Sequence, residues 1–170
     1  MTNGASVKII DPEFCAYASP GLDIGSLLSG FVLAYAYHKQ RGGSTATATQ
    51  ASPIARQQAG GGPREGEAEL GDAIRLIWSN CAEQLAAGGV AQACIDRIGE
   101  DSVGFCMMEV IRTCLGCAGA RDPAHRIAEP QALRRYQRAV VAFARTCLLQ
   151  RAGPEGGVGG MLRALEAIAV

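Results

Sequence analysis

The chain has 170 residues, 48% of them apolar, and 16 basic residues balance 16 acidic ones. That is enough for one ordinary domain with a true core, and the absence of a basic block disfavours a nucleic-acid or anionic-membrane surface, since both depend on clustered positive charge. The longest apolar stretch, Ile24 to Tyr37, contains Gly25, Ser26, Ser29 and Gly30 and falls short of the ~20 residues that span a bilayer.

The N-terminus has no basic region ahead of an apolar stretch and no cleavage site. The seven cysteines are odd in number and sit mostly inside apolar helical patterns, which fits buried, reduced thiols in a soluble cytoplasmic protein.

Residues 7–10 read as a short buried strand, β-branched and apolar, ended by Asp11-Pro12. Pro12 fixes its own φ and pushes Asp11 into an extended conformation. Ser19, Pro20 and Gly21 mark a turn. A helix is expected to follow with Asp23 as its N-cap and to run to about Gln40 on Ile24, Leu27, Leu28, Phe31, Leu33, Ala34 and Tyr37. Residues 42–66 are Gly, Ala, Ser, Thr, Gln and Pro with Ile54 as the one large aliphatic, so a disordered insertion is expected there.

Helical periodicity returns at 67–87 (Leu70, Ile74, Ile77, Trp78, Cys81, Leu85) and stops at Gly88-Gly89. A short helix is expected over 90–98 and a longer one from Asp101-Ser102 to about Cys117. Pro130 marks another N-terminus, and the helix beyond it carries Leu133, Tyr136, Val140, Phe143, Ala144, Cys147 and Leu148 on one face. After a Gly-rich break at 153–160, a last small helix is expected over 161–168. The fold class is mainly α, with one short N-terminal strand or a hairpin.

One pair of residues carries candidate chemistry. In an extended segment residues i and i+2 face the same way, so Asp11 and Glu13 present two carboxylates to one side. Hard oxygen donors of this kind suit Mg²⁺, which takes one or two carboxylates together with phosphates and waters. A strand-end Asp holding Mg²⁺ against nucleotide phosphates is the arrangement of phosphoryl-transfer sites.

These residues carry a resemblance. Asp11-Pro12-Glu13-Phe14-x-x-Tyr17-x-x-x-Gly21-x-Asp23-Ile24-Gly25 resembles the corresponding segment of the S-methyl-5-thioribose kinases, in the aminoglycoside-phosphotransferase-like branch of the protein-kinase fold. Gly104-Phe105, Met108-x-x-Ile111-Arg112, Gly116 and Ala118 are similar in order and character to a second segment of that family, and Ile127 to Arg151 is similar to its final amphipathic helix. The resemblance implies a single partial domain over 1–170, the helical C-terminal lobe of a kinase-like α+β fold.

It also implies roles. Asp11 and Glu13 would ligate the Mg²⁺ ions that bridge the phosphates of the co-substrate ATP. Asp23 would cap its helix and brace the catalytic loop, and Arg112 would bind methylthioribose or neutralise charge near the transferred phosphoryl group. Thr113 stands where the family has a second Arg, and Glu109 where a Lys often occurs. No Gly-rich phosphate loop, nucleotide-positioning Lys or His-Gly-Asp-type catalytic loop precedes Asp11 in this sequence. No catalytic residue is therefore assigned within it, and activity is expected to need an N-terminal lobe.

The functional expectation is the C-terminal part of an ATP-dependent kinase for methylthioribose, a small sugar, in methionine salvage; a homodimer is compatible with it. The alternatives are a catalytically inactive kinase-like helical protein that acts by binding, and a fragment of a related choline- or aminoglycoside-type kinase.

Other residues read as structural. Cys114-x-x-Cys117 has no second pair and no His at ligand spacing, so two buried thiols are expected rather than zinc. His38 and His125 are expected at the surface, Arg134, Arg135 and Arg138 on a solvated helix face, and Trp78 in the core. Gly60-Gly61-Gly62 and Gly156-Gly157-x-Gly159-Gly160 lack the setting of a phosphate loop and are expected to be flexible linkers.

Overall fold

The computed structural model describes residues 18–43, 63–116, 122–153 and 155–170. Every regular element among them is helical: α1 (Gly21–Gly43), α2 (Pro63–Ala87), α3 (Gln92–Cys114), a 3₁₀ turn (Pro123–Arg126), α4 (Pro130–Gln150) and α5 (Gly157–Glu166). The mainly α class is thus found. The strand expected at residues 7–10 lies outside the described residues.

Local chemistry explains where each helix begins. At the entry to α1, the Gly21 N–H donates to Ser19 Oγ at 3.2 Å and the Leu22 N–H to the Ser19 carbonyl at 2.9 Å. Ser19 therefore does the capping, and the expected N-cap, Asp23, instead sits exposed in the first turn. Its charge there still complements the positive end of the helix. Helix α2 starts at Pro63, earlier than the expected 67, because a proline at a helix start gives up an N–H that has no partner there anyway.

The end of α2 is set by Gly89, whose φ of 83° is left-handed. Val90 N–H donates to the Leu85 carbonyl at 3.0 Å and Gly89 N–H to the Ala86 carbonyl at 2.9 Å. This pair of bonds is the Schellman closure.

The two helices expected between 90 and 117 are one continuous helix, α3. Ser102, read in sequence as a start signal, is fully buried and donates to the Ile98 carbonyl at 2.7 Å. A hydroxyl bonded to the preceding turn leaves the helix uninterrupted. Helix α4 begins at Pro130 as expected, with Glu129 as its cap: the Gln131 N–H donates to Glu129 Oε1 at 2.6 Å, and the Ala132 N–H donates to Oε2.

Helix α5 starts at Gly157 rather than 161, so the second glycine run is not a linker. Gly157 N–H donates to the Arg151 carbonyl at 2.8 Å and Gly160 N–H to that of Gly156 at 3.1 Å. Gly156 and Gly160 are so close to the carbonyls of Arg151 and Glu155 that neither could carry a side chain. Close backbone approach, rather than looseness, explains these glycines.

Helix α1 lies at the centre, packed chiefly on α3 and then on α2, while α3 also contacts α4 and α5. The core comprises Leu28, Val32, Leu33 and Ala36 of α1, Val103, Cys106, Met107 and Val110 of α3, Tyr136, Val140 and Ala144 of α4, and Met161 and Leu165 of α5. Trp78 is half-buried and packs against this cluster. Among the described residues no buried side-chain nitrogen or oxygen lacks a hydrogen-bond partner.

Candidate functional site

The crossing of α1 and α3 brings together two segments that are far apart in sequence. A Cβ on Gly21 would fall 2.8 Å from the Asp101 Cβ and the Ser102 nitrogen. One turn later, a Cβ on Gly25 would fall 2.5 Å from the Ser102 carbonyl oxygen and 2.7 Å from the Cys106 nitrogen. Contacts this short against backbone leave room only for glycine. The spacing Gly21-x-x-x-Gly25 puts both glycines on one helix face, and that face seats the start of α1 on residues 101–106.

Asp23 lies between these glycines, exposed on the first turn of α1. Arg112 lies further along α3, about 10 Å beyond Phe105 at the helical rise. Its guanidinium is engaged by Glu109 three residues earlier: Nε donates to Oε2 at 2.8 Å and Nη2 to Oε1. The Arg112 side chain is 48% exposed while that of Glu109 is 17% exposed. The carboxylate is thus the sheltered member of a two-point fork, the geometry that fixes an arginine's plane most firmly.

Thr113, the next residue along the helix, is 2% exposed. Adjacent residues on a helix point about 100° apart, so Arg112 faces out where Thr113 faces the core. Phe105, Met108 and Leu115 share the outward face with Arg112 and are 37%, 58% and 65% exposed. Arg112 therefore sits in an apolar, open stripe.

Asp11 and Glu13 lie outside the described residues, as do Cys117 and the first glycine run at 60–62. Among the described residues no group of three or more His, Cys, Asp or Glu could hold a metal ion, and no helix is long and apolar enough to cross a membrane. His125 is exposed, with Nδ1 2.7 Å from the Asp122 carbonyl, and Arg134, Arg135 and Arg138 are exposed, as expected. His38 is half-buried beside Gly66 rather than at the open surface.

The buried titratable groups are structural. Burial raises the thiols of Cys106 and Cys147, the latter to about 12, and raises that of Cys114 to about 11. Such thiols stay protonated and inert at neutral pH. Tyr136 is fully buried and its phenol is raised by burial and by the neighbouring Asp122 carboxylate. Its hydroxyl is 3.0 Å from Asp122 Oδ1 and 3.3 Å from the Leu33 carbonyl, so one O–H serves two acceptors.

Two of these features escaped the sequence reading. The Glu109–Arg112 fork has a legible signal, an acid and a base three apart on a helix. The Asp122–Tyr136 pair has none, because it depends on how a loop returns to α4.

Comparison with known proteins finds three relatives. The chain is 29% identical over 160 residues to the methylthioribose kinase of Yersinia enterocolitica, across 84% of this chain and 35% of that protein. It is 30% identical over 156 residues to that of Pectobacterium atrosepticum, with the same coverage, and 30% identical over 134 residues to that of Erwinia tasmaniensis. No family model and no solved structure matches at a significant level. The chain spans about a third of the length of the relatives it matches. The resemblance read from the two segments that meet at the α1–α3 crossing is thus found again in comparison with known proteins: over most of its length this chain is similar to methylthioribose kinases, consistent with a C-terminal portion of such a protein.

Proposed function

We propose that the chain forms the helical part of a kinase that transfers a phosphoryl group from ATP to methylthioribose. The observation that carries this reading is the packing of Gly21 and Gly25 against residues 101–106. It joins Asp23-Ile24-Gly25, at the start of α1, to the helix that bears Arg112. In a phosphoryl-transfer site the metal ligands and the acceptor-binding groups must be held in fixed relation, because positioning alone can supply roughly 7–11 kcal/mol of barrier reduction.

On this reading Asp11 and Glu13 hold Mg²⁺, to which paired carboxylates are chemically suited; bound there, Mg²⁺ neutralises phosphate charge. Arg112 contacts the sugar or the transferred group with its plane set by Glu109. The open stripe of Phe105, Met108 and Leu115 is the surface on which the nucleotide-holding remainder of such an enzyme closes, since exposed apolar patches mark interaction surfaces. The chain by itself is then catalytically silent.

The experiment is a fusion. The portion of the Pectobacterium atrosepticum relative that this chain does not match is joined to residues 1–170, and ATP-dependent phosphorylation of methylthioribose is followed by ³¹P NMR. Activity in the fusion, lost in Asp11→Asn and absent from the chain alone, is the expected result. A soluble, folded fusion with no activity on methylthioribose but turnover of an aminoglycoside or an amino alcohol would replace this substrate with another of the same fold.

A further inference from the structure

A second concave site lies where α2, α3 and the loop entering α5 meet, and it uses none of the residues assigned above. Its volume is about 430 Å³, within the ~300–1,000 Å³ typical of small-molecule sites. One wall is the indole of Trp78. It rests against the α3 backbone because residue 99 is glycine: a Cβ there would fall 2.9 Å from Trp78 Cζ2 and 3.1 Å from Cη2. Asp96 and Glu100, one turn apart on α3 on either side of Gly99, also line the cleft.

The charges in this cleft have one sign. Asp96 Oδ1 accepts from Gln92 Nε2 at 2.8 Å, and Glu100 Oε1 accepts from the Gly153 N–H at 3.2 Å. Among the described residues neither carboxylate is in an ion pair, and no lining residue is basic.

The glycine loop does not reverse that sign. Three of its N–H groups already have acceptors: Gly153 in Glu100, Gly156 in the Gly153 carbonyl and Gly157 in that of Arg151. The positive end of α5 contributes only about half a unit charge, against two carboxylates.

We propose that this cleft binds a small organic cation, an alkylated ammonium whose methyl groups lie on the Trp78 face while Asp96 and Glu100 supply the counter-charge. An aromatic ring beside two carboxylates selects such a group over a bare metal ion, to which the indole offers no ligand, and over a neutral molecule, which gains nothing from the charge. The proposal is independent of the kinase reading.

Trp78 is the one tryptophan in the chain, so its fluorescence reports this cleft directly. The 170-residue protein is titrated with tetramethylammonium chloride, with tert-butanol as a neutral molecule of similar shape, and with sodium sulfate. Saturable change with tetramethylammonium alone is expected. Its affinity should fall about tenfold in Asp96→Asn and in Glu100→Gln, the loss expected for removal of one charge contact, with circular dichroism unchanged. Trp78→Phe, followed by calorimetry, should weaken binding while keeping the fold. An equal response to tert-butanol, a response to sulfate alone, no saturable response to tetramethylammonium, or a response that survives the double variant Asp96→Asn/Glu100→Gln would each overturn the proposal.

Discussion

Gly25 of α1 sits so close to Ser102 of α3 that a Cβ added to it would lie 2.5 Å from the Ser102 carbonyl oxygen. The neighbouring obstacle is the Cys106 nitrogen at 2.7 Å, so both are backbone and cannot rotate aside. Gly25→Ala would gain up to about 1 kcal/mol of helix propensity yet must push two central helices apart, and overpacking of this kind costs about 1–3 kcal/mol. The net effect is destabilising. Gly30 is the internal control: it lies exposed on the same helix with nothing within 4 Å of its Cβ position, and Gly30→Ala should stabilise by about 0.5–1 kcal/mol. Urea denaturation of the two variants should move the midpoint in opposite directions. A Gly25→Ala protein as stable as Gly30→Ala would mean that the crossing is looser than described.

Tyr136→Phe should destabilise by about 1–3 kcal/mol, the cost of leaving a buried polar group underbonded. The phenol joins three elements: it sits on α4, reaches Asp122 beside the 3₁₀ turn and touches the Leu33 carbonyl of α1. Without it, Asp122, 4% exposed, retains the Ala124 N–H at 2.9 Å. Asp122→Asn keeps an acceptor for both donors and should cost less than Tyr136→Phe. Thermal melts of the two variants settle the order, and the reverse order would show that the charge of Asp122 matters more than its bond to Tyr136.

The mainly α architecture was legible because helices announce themselves locally. The apolar face of α4, with Tyr136, Val140 and Cys147 buried, follows from spacing alone. Boundaries failed where a residue has two readings. Ser102 can cap a helix or bond back within one, and only its burial against α1 decides. Gly156 and Gly160 can loosen a chain or permit close backbone approach, and the carbonyls they face belong to other turns. For the candidate site, Asp11 and Glu13 lie outside the described residues, and the motif's Gly21 and Gly25 were legible only as members of a pattern. The reason for its glycines was not, because Gly21 and Gly25 answer to α3, some eighty residues away.

Stability should fall at alkaline pH. Cys106, Cys114 and Cys147 have thiols raised above their ordinary value in the folded protein. Between the unfolded thiol value, about 8.5, and the folded values of about 11 for Cys114 and about 12 for Cys147, the unfolded chain binds fewer protons than the folded one. Their stabilising contribution is therefore complete below about pH 8.5 and is lost progressively as pH rises toward 11 and 12. Melting temperatures measured under reductant should be flat through neutrality and drop above pH 9, less steeply in Cys147→Ala. At pH 8 the exposed Cys94 should react with an aromatic disulfide reagent while Cys106 and Cys147 wait for unfolding. Prompt reaction of all three buried thiols would contradict the packing of α3 on α4.

The fork between Glu109 and Arg112 separates two roles for the arginine. If Arg112 holds the acceptor sugar, its value lies in a fixed plane, and Glu109 supports it by the bonds to Nε and Nη2. If it instead offsets charge on the transferred group, Glu109 opposes it by cancelling part of that charge. Glu109→Gln keeps one acceptor, removes the second and removes the charge. We expect the positioning role, because Glu109 is the sheltered partner and the contact is two-pointed. In the fusion with the Pectobacterium sequence, Glu109→Gln should then raise KM for methylthioribose several-fold with kcat little changed, the mark of lost ground-state binding. Arg112→Lys should do the same more severely, since an ammonium cannot reproduce the planar fork. A rise in kcat on Glu109→Gln with KM unchanged would place Arg112 at the phosphoryl group instead.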